Sequence, residues 1–269
     1  MPDAILDHAR CLLEAHRNRQ PYPLFPGIEV QSLAHGYSVQ RAFLDLLSAD
    51  SASCHITGFK AALTNLAAQQ SLQMTGPAGG VLFSGHDYVS GCQIPASEFV
   101  RPMIELEIGY RLARAVTSPV SIDTIDEYID AMLPMIEIAD AAYVVPNAAG
   151  RTITGADLVA ANAAAGGYIV GEPMIQPKDA DQLQIKLSRN GDVLGAARGL
   201  DAHGGQRTML MWLINHSLAQ GYKLLAGHYL ITGALGRVEV ARPGQYIAEY
   251  HDANAEGEAL FGRVEFEVT

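Results

Sequence analysis

Pro102-Met103-Ile104-Glu105-Leu106-Glu107-Ile108-Gly109 alternates acidic and apolar residues. Read as a strand, a period of two puts Glu105 and Glu107 on one face and Ile104, Leu106 and Ile108 on the other. Read as a helix, the two carboxylates diverge and the apolar side chains form no single stripe, so the strand is preferred. If its polar face is buried, two adjacent negative charges are costly unless a cation lies between them; on a half-exposed strand the same pair simply faces water. Met135-Ile136-Glu137-Ile138-Ala139-Asp140 repeats the pattern one expected helix later. Strand–helix–strand units often place successive strands side by side, which would bring Glu137 to the first pair. Three carboxylates without nearby Cys or His suit a hard octahedral cation, Mg2+ or Mn2+, that keeps positions open for substrate.

The chain around these segments has 269 residues, 49% of them hydrophobic, and a net charge of -11. That length supports one sizeable core. The negative charge disfavours nucleic acid and anionic membrane as partners, because phosphates would be repelled. No apolar run approaches the roughly 20 residues of a membrane-spanning helix, and the start, Met1-Pro2-Asp3-Ala4-Ile5-Leu6-Asp7, lacks the pattern of a signal peptide. Cys11, Cys54 and Cys92 are odd in number and far apart, unlike a disulfide framework or a thiolate zinc site. A reducing cytoplasm is the expected compartment.

Helical spacing is expected over 3–20, through Ile5, Leu6, Ala9, Leu12 and Leu13, and from an N-cap at Ser38 through Val39, Phe43, Leu46 and Leu47. Glycine-rich 76–80 reads as a flexible turn. Beyond it, short apolar runs alternate with turns, and Asn190-Gly191 marks a hairpin. Two further helices are expected, at 123–133 and at 207–220, the latter with Gly221 as its C-terminal cap. The class is α+β in a single domain over 1–269, with a mainly helical section at 1–75 and a strand-rich core at 76–269.

Lys60 lies in the apolar, glycine-flanked segment Gly58-Phe59-Lys60-Ala61-Ala62-Leu63-Thr64. Such a lysine can stabilise an oxyanion or deliver a proton, or its stem can simply run along the surface. His203 stands out only as a loop histidine. Neither G-x-G-x-x-G, a Walker-type phosphate loop nor G-x-S-x-G is present.

Together the segments resemble the metal-dependent 2-hydroxypentadienoate hydratases and 4-oxalocrotonate decarboxylases of the fumarylacetoacetate-hydrolase-like superfamily. The resemblance rests on 58–64, on Gly80-Val81-Leu82-Phe83, on both glutamate segments, and on Asp157-Leu158-Val159-Ala160-Ala161-Asn162-Ala163. It continues through Leu225-Ala226-Gly227-His228-Tyr229-Leu230-Ile231-Thr232-Gly233-Ala234-Leu235 and Gly262-Arg263-Val264-Glu265-Phe266. It implies a mixed β-roll or sandwich core of the superfamily's C-terminal type behind an N-terminal helical section. It also implies a homo-oligomer, or a complex with a related pathway enzyme. The implied site has Mg2+ or Mn2+ on Glu105, Glu107 and Glu137, an active-site lysine at Lys60, and substrate contacts at Leu63, Thr64, Asn162 and Thr232.

The departures bear on the reaction. The hydratases typically carry P-D-F-G where this chain reads Pro77-Ala78-Gly79-Gly80, and A-D-N-A-S where it reads Ala160-Ala161-Asn162-Ala163-Ala164. The implied metal set is thus retained while a carboxylate and a hydroxyl are missing. The expected activity is a metal-dependent lyase acting on a 2-oxo acid or its 2-hydroxydienoate form, adding water to a conjugated 2-oxo-enoate. Decarboxylation of a 4-oxalocrotonate-like diacid is the alternative, and a catalytically weakened partner subunit of a related enzyme is a further one.

Overall fold

The computed structural model describes residues 3–24, 32–50, 54–143, 152–172, 179–252 and 259–269. Helix α1 (Asp3–Arg17) buries Ala9, Leu12 and Leu13, an i, i+3, i+4 stripe, against α2 (Leu33–Asp50), which turns Val39, Phe43 and Leu44 inward. α2 starts ahead of the expected cap at Ser38. Inside the helix, the Ser38 hydroxyl donates back to the Ala34 carbonyl at 2.9 Å, a bond available only after the helix has begun.

The chain then forms β1 (Ile56–Ala62), α3 (Leu66–Ser71), β2 (Ala78–Phe83), β3 (Asp87–Val89), β4 (Cys92–Ile94) and β5 (Pro102–Leu112). Next come β6 (Ile129–Asp140), α4 (Gly155–Ala160), β7 (Ala165–Val170), β8 (Leu183–Arg189) and β9 (Asp192–Arg198). The last elements are α5 (Gln206–Ala219), β10 (Tyr229–Ile231), β11 (Leu235–Val240), β12 (Gly244–Asp252) and β13 (Ala259–Val268). One mixed sheet has the order β2-β1-β10-β5-β6-β7-β3, with β11 also pairing to β5; a second has the order β4-β13-β12-β8-β9. The expected α+β class is borne out, as are the strands at both glutamate segments, the Asn190-Gly191 hairpin and the helix closed by Gly221. Among the described residues no helix is long and apolar enough to cross a membrane.

Two local expectations fail. The helix expected at 123–133 is a single 3-10 turn, Ile125–Tyr128, followed directly by β6. Ile129 and Leu133 fit a helical stripe, but they also share a face at period two, and the β5 ladder continues as far as Leu112 opposite Ile129. Cross-strand bonds therefore override the local pattern, and β5 and β6 become antiparallel neighbours without a crossover helix. The glycine-rich turn ends early as well, because Ala78, Gly79 and Gly80 already belong to β2. A Cβ on Gly80 would lie 2.9 Å from both the Lys60 Cγ and the Asn162 carbonyl oxygen, so the glycine makes room for the lysine rather than for a turn. β1, within the section expected to be mainly helical, joins the sheet.

The first sheet curls strongly, bringing β2 close to β7 across it, and the second sheet closes one side. Tyr250 of β12 is fully buried, and its hydroxyl hydrogen is shared between the carbonyl oxygens of Met135 at 2.7 Å and Glu107 at 2.9 Å. The second sheet thereby pins β5 and β6 at the register position where Glu107 faces Met135. Replacing Tyr250 by Phe leaves two buried carbonyls without this donor, and we expect a loss of about 1–3 kcal/mol in urea unfolding with unchanged circular dichroism. An unchanged midpoint would show that the hydroxyl contributes nothing.

Candidate metal centre

Directly opposed residues of an antiparallel pair project to the same face. Glu105 stands opposite Glu137, and Glu107 lies two residues along β5, so all three carboxylates share a face. One oxygen from each lies within 4.8 Å of the others; Glu107 and Glu137 are fully buried and Glu105 is half-buried. Lys60 starts three strands away, and the curl of the sheet brings it across: its Nζ donates to Glu137 Oε1 at 2.5 Å and to the Ala163 carbonyl at 3.0 Å. This ion pair is shut from solvent, with side chains 2% and 0% exposed.

The Ala163 carbonyl is presented by an unusual backbone. Asn162, Ala163 and Ala164 have φ of 57°, 52° and 59°, three successive left-handed residues. Each costs roughly 1–2 kcal/mol for an L-residue. The Asn162 amide holds the turn in place: its Oδ1 accepts from the Val81 N–H and its Nδ2 donates to the Val81 carbonyl, both at 2.8 Å.

Each buried glutamate has one oxygen engaged and one open. Glu107 Oε2 accepts the Gly233 N–H at 2.8 Å, and Glu137 Oε1 accepts Lys60. Glu107 Oε1 and Glu137 Oε2 are buried without a hydrogen-bond partner. Gly233 is required there: its φ is +105°, and a Cβ would come within 2.3 Å of the Thr64 side chain. Three carboxylates and one ammonium leave two negative charges, which a single divalent cation balances. The open oxygens and the all-carboxylate donor set fit such a hard cation.

The carboxyl groups respond to this confinement. Burial pushes all three above the ordinary glutamate value. Glu107 is raised well above it, because the charges of Glu137 and Glu105 add to the loss of water. Burial, partly offset by Lys60, pushes Glu137 up to about 8. Burial also raises Glu105, against the lowering pull of Lys60. For Lys60, burial alone would lower the ammonium, but Glu137, Glu105 and Glu107 outweigh it and the value is raised.

Of the residues expected from sequence, Lys60, Glu105, Glu107 and Glu137 come together. Thr64 is buried against Gly233, beside Glu107. Leu63 packs with Ala78 in an apolar cluster that includes Tyr37, Val159 and Met74. Asn162 lies behind Lys60 with both amide atoms committed to Val81. Thr232, expected at the substrate, is fully buried and turns its hydroxyl to Gln206 Oε1 at 2.7 Å, away from the carboxylates. The His203 side chain is exposed, and its backbone N–H donates to the Thr64 carbonyl at 3.1 Å. The Ala163 carbonyl, the Gly233 N–H and the Tyr250 hydroxyl were not anticipated. The first two are backbone atoms, which no residue pattern announces.

No protein-family model matches the chain. It is 30% identical over 192 residues to the 2-keto-4-pentenoate hydratase of Paraburkholderia xenovorans (strain LB400), covering 70% of each chain. It is also 30% identical over 227 residues to the 2-oxo-hept-4-ene-1,7-dioate hydratase of Escherichia coli, covering 82% of each. Among solved structures, the 4-oxalocrotonate decarboxylase of Pseudomonas putida G7, complexed with magnesium and adipate, aligns over 100% of this chain and 98% of its own, with a TM-score of 0.85 at 20% identity. That likeness shows a shared fold.

The raised carboxyl values set a pH dependence. A carboxyl whose value is raised on folding stabilises the fold fully below its unfolded value, about 4.3, and the contribution is lost as pH climbs through the folded value. His216, pushed down to about 4 by burial, acts oppositely: stability grows between that value and the unfolded 6.5, then levels off. Above pH 7 the glutamates dominate. With a chelator present, we expect the melting temperature to fall between pH 7 and pH 9, and to fall less in Glu107→Gln, which carries no proton to lose. Identical slopes for both proteins would refute the assignment.

Proposed function

Because the chain belongs to the 2-keto-4-pentenoate hydratase family, we propose that Glu105, Glu107 and Glu137 hold Mg2+ or Mn2+ and that the site adds water to a conjugated 2-oxo-enoate. The observation that carries this reading is the pair of open, buried oxygens on Glu107 and Glu137 beside the Glu105 carboxylate. When bound, the cation supplies a Lewis acid for a 2-oxo acid chelating through its carboxylate and 2-oxygen. The chain's own contribution is charge and position. Lys60, kept protonated by the surrounding carboxylates, offers a fixed ammonium on the same face to stabilise negative charge developing on the substrate. It is held from two sides, by Glu137 and Ala163, so little rearrangement is needed as that charge forms. Glu105, the half-buried member, is the carboxylate nearest to solvent and so marks the side from which a small acid enters.

A second reading, decarboxylation of a 4-oxalocrotonate-like diacid, is favoured by the surroundings of Ala78. Ala78 faces Ala62 across the β1–β2 ladder, two residues from the Lys60–Gly80 pair, and therefore lies on the lysine's face. Its apolar neighbours there are Tyr37 and Val159, and the position itself carries no carboxylate to steer a water molecule. Loss of CO2 needs no such base: the C–C bond electrons flow into the conjugated system, and a proton later adds to carbon.

Calorimetric titration with Mn2+ tests the site. Glu107→Gln is expected to lose binding, whereas Lys60→Met, which removes a positive charge beside the cation, is expected to bind at least as tightly as wild type. The same Lys60 variant should lower kcat by about 100-fold, as removal of an oxyanion donor does. Wild-type affinity in Glu107→Gln would overturn the metal assignment.

Ultraviolet assays with CO2 detection test the reaction. Consumption of 2-hydroxypentadienoate without CO2 is expected. CO2 released from 4-oxalocrotonate alone would establish the second reading. Inertness toward both, with intact Mn2+ binding, would reject both and favour a weakened partner subunit.

A further inference from the structure

Behind the carboxylate face, at the start of α5, Gln206 is fully buried. Its Oε1 accepts two hydroxyl groups, Thr232 Oγ1 at 2.7 Å and Tyr110 Oη at 3.2 Å, and its Nε2 donates to the Gly199 carbonyl at 2.8 Å. The Gly199 carbonyl can only accept, which fixes the amide's orientation with the oxygen toward both hydroxyls. The residue's backbone is anchored too, since its N–H donates to Asp181 Oδ1 at 2.7 Å. Tyr110 alternates with Glu107 and Gly109 along β5 and so projects from the opposite face, and Thr232 likewise follows the inward-facing Ile231. Gln206 therefore cannot touch anything bound among the carboxylates.

Its influence reaches them through one peptide group. The N–H that holds Glu107 Oε2 at 2.8 Å belongs to the peptide joining Thr232 to Gly233. The direction of that N–H follows the rotation of Thr232 about its own backbone. The Thr232 hydroxyl, tied to Gln206 and more loosely to the Ile108 carbonyl at 3.3 Å, resists that rotation. Once Gly233 binds Oε2, Glu107 Oε1 is the oxygen left open. Gly233 has no side chain with which to stabilise its own left-handed conformation, so the constraint has to come from the preceding residue.

We infer that Gln206 is a positioning residue for Glu107: through Thr232 and the Gly233 N–H it fixes the orientation in which Glu107 presents its free oxygen to the cation. The inference rests on Glu107 being a metal ligand. It extends that reading to a residue on the far side of the sheet that neither substrate nor cation contacts.

The experiment measures Mn2+ dissociation constants by calorimetry, and melting temperatures in chelator, for wild type, Glu107→Gln, Gln206→Met, Thr232→Val, Thr232→Ser and the Gln206→Met/Thr232→Val double variant. Thr232→Val keeps the shape and removes the hydroxyl, and Thr232→Ser restores it. Gln206→Met and Thr232→Val should each weaken Mn2+ binding by about tenfold, the low end of the usual effect of a residue supporting a metal ligand. Thr232→Ser should stay near wild type, and the double variant should be no weaker than either single one, because both break the same chain. Should Gln206→Met fail to fold, the Thr232 Val–Ser pair still decides. Wild-type affinity in Thr232→Val, or equal weakening in Thr232→Ser, overturns the positioning role while Glu107→Gln still loses the metal. Wild-type affinity in Glu107→Gln would instead remove the metal reading itself, and this inference with it.

Discussion

Confining three carboxylates within a curled sheet is the constraint on which the rest of the structure depends. An isolated carboxylate withdrawn from water loses several kcal/mol even after relaxation of its surroundings, and neighbours of like charge add to that. Only a few responses are open to a protein: to protonate the group, to pair it, to hydrogen-bond it, or to supply a cation. All of the first three are visible here. The carboxyl groups are raised toward protonation, Lys60 pairs with Glu137, and Gly233 donates to Glu107. None of the three satisfies the second oxygen of either buried glutamate. Retaining that deficit makes sense for a site whose missing partner arrives from outside.

The scaffold bears the strain of this deficit by fixing backbone rather than by surrounding the site with polar side chains. Tyr250 grips carbonyls on β5 and β6, Asn162 clasps the N–H and the carbonyl of one residue of β2, and Gln206 gathers hydroxyls from β5 and the end of β10. Each is buried, and each works from behind or beside the carboxylates. The left-handed turn at 162–164 shows why such clasps matter. Its conformation is unfavourable for alanine, yet it delivers the one carbonyl that shares the Lys60 ammonium with Glu137.

Legibility in the sequence followed the same division. Strand alternation exposed Glu105, Glu107 and Glu137, because a period of two is written directly into residue order, and it correctly placed all three on one face. Lys60 was visible as a charge in an apolar segment. The helix expected at 123–133 was misread because Ile129 and Leu133 satisfy both periods, and only the partner strand decides between them. Asn162 and Thr232 show a different limit. The resemblance placed them at the substrate, whereas their side chains face Val81 and Gln206. A position near a site says nothing of direction, which depends on backbone angles that residue identity only weakly restricts. The Ala163 carbonyl and the Gly233 N–H lie beyond sequence reading for that reason.

The apolar surroundings of Lys60 have an electrostatic consequence. Ala62, Leu63, Ala78 and Val159 form an apolar wall along the face that carries Lys60. Charge–charge interactions strengthen as the local dielectric falls, so the same wall that offers no base to a water molecule intensifies the pull of the ammonium, and of any cation on the glutamates, upon an electron-rich 2-oxygen. A carboxylate at Ala78 would oppose that pull with a negative charge on the lysine's own face. Polarising the 2-oxo end and steering a proton at the far end therefore make opposite demands on this surface, and the residues here favour polarisation. Addition of water and loss of CO2 both begin by drawing electrons toward the 2-oxygen, so the wall serves the step that the two readings share.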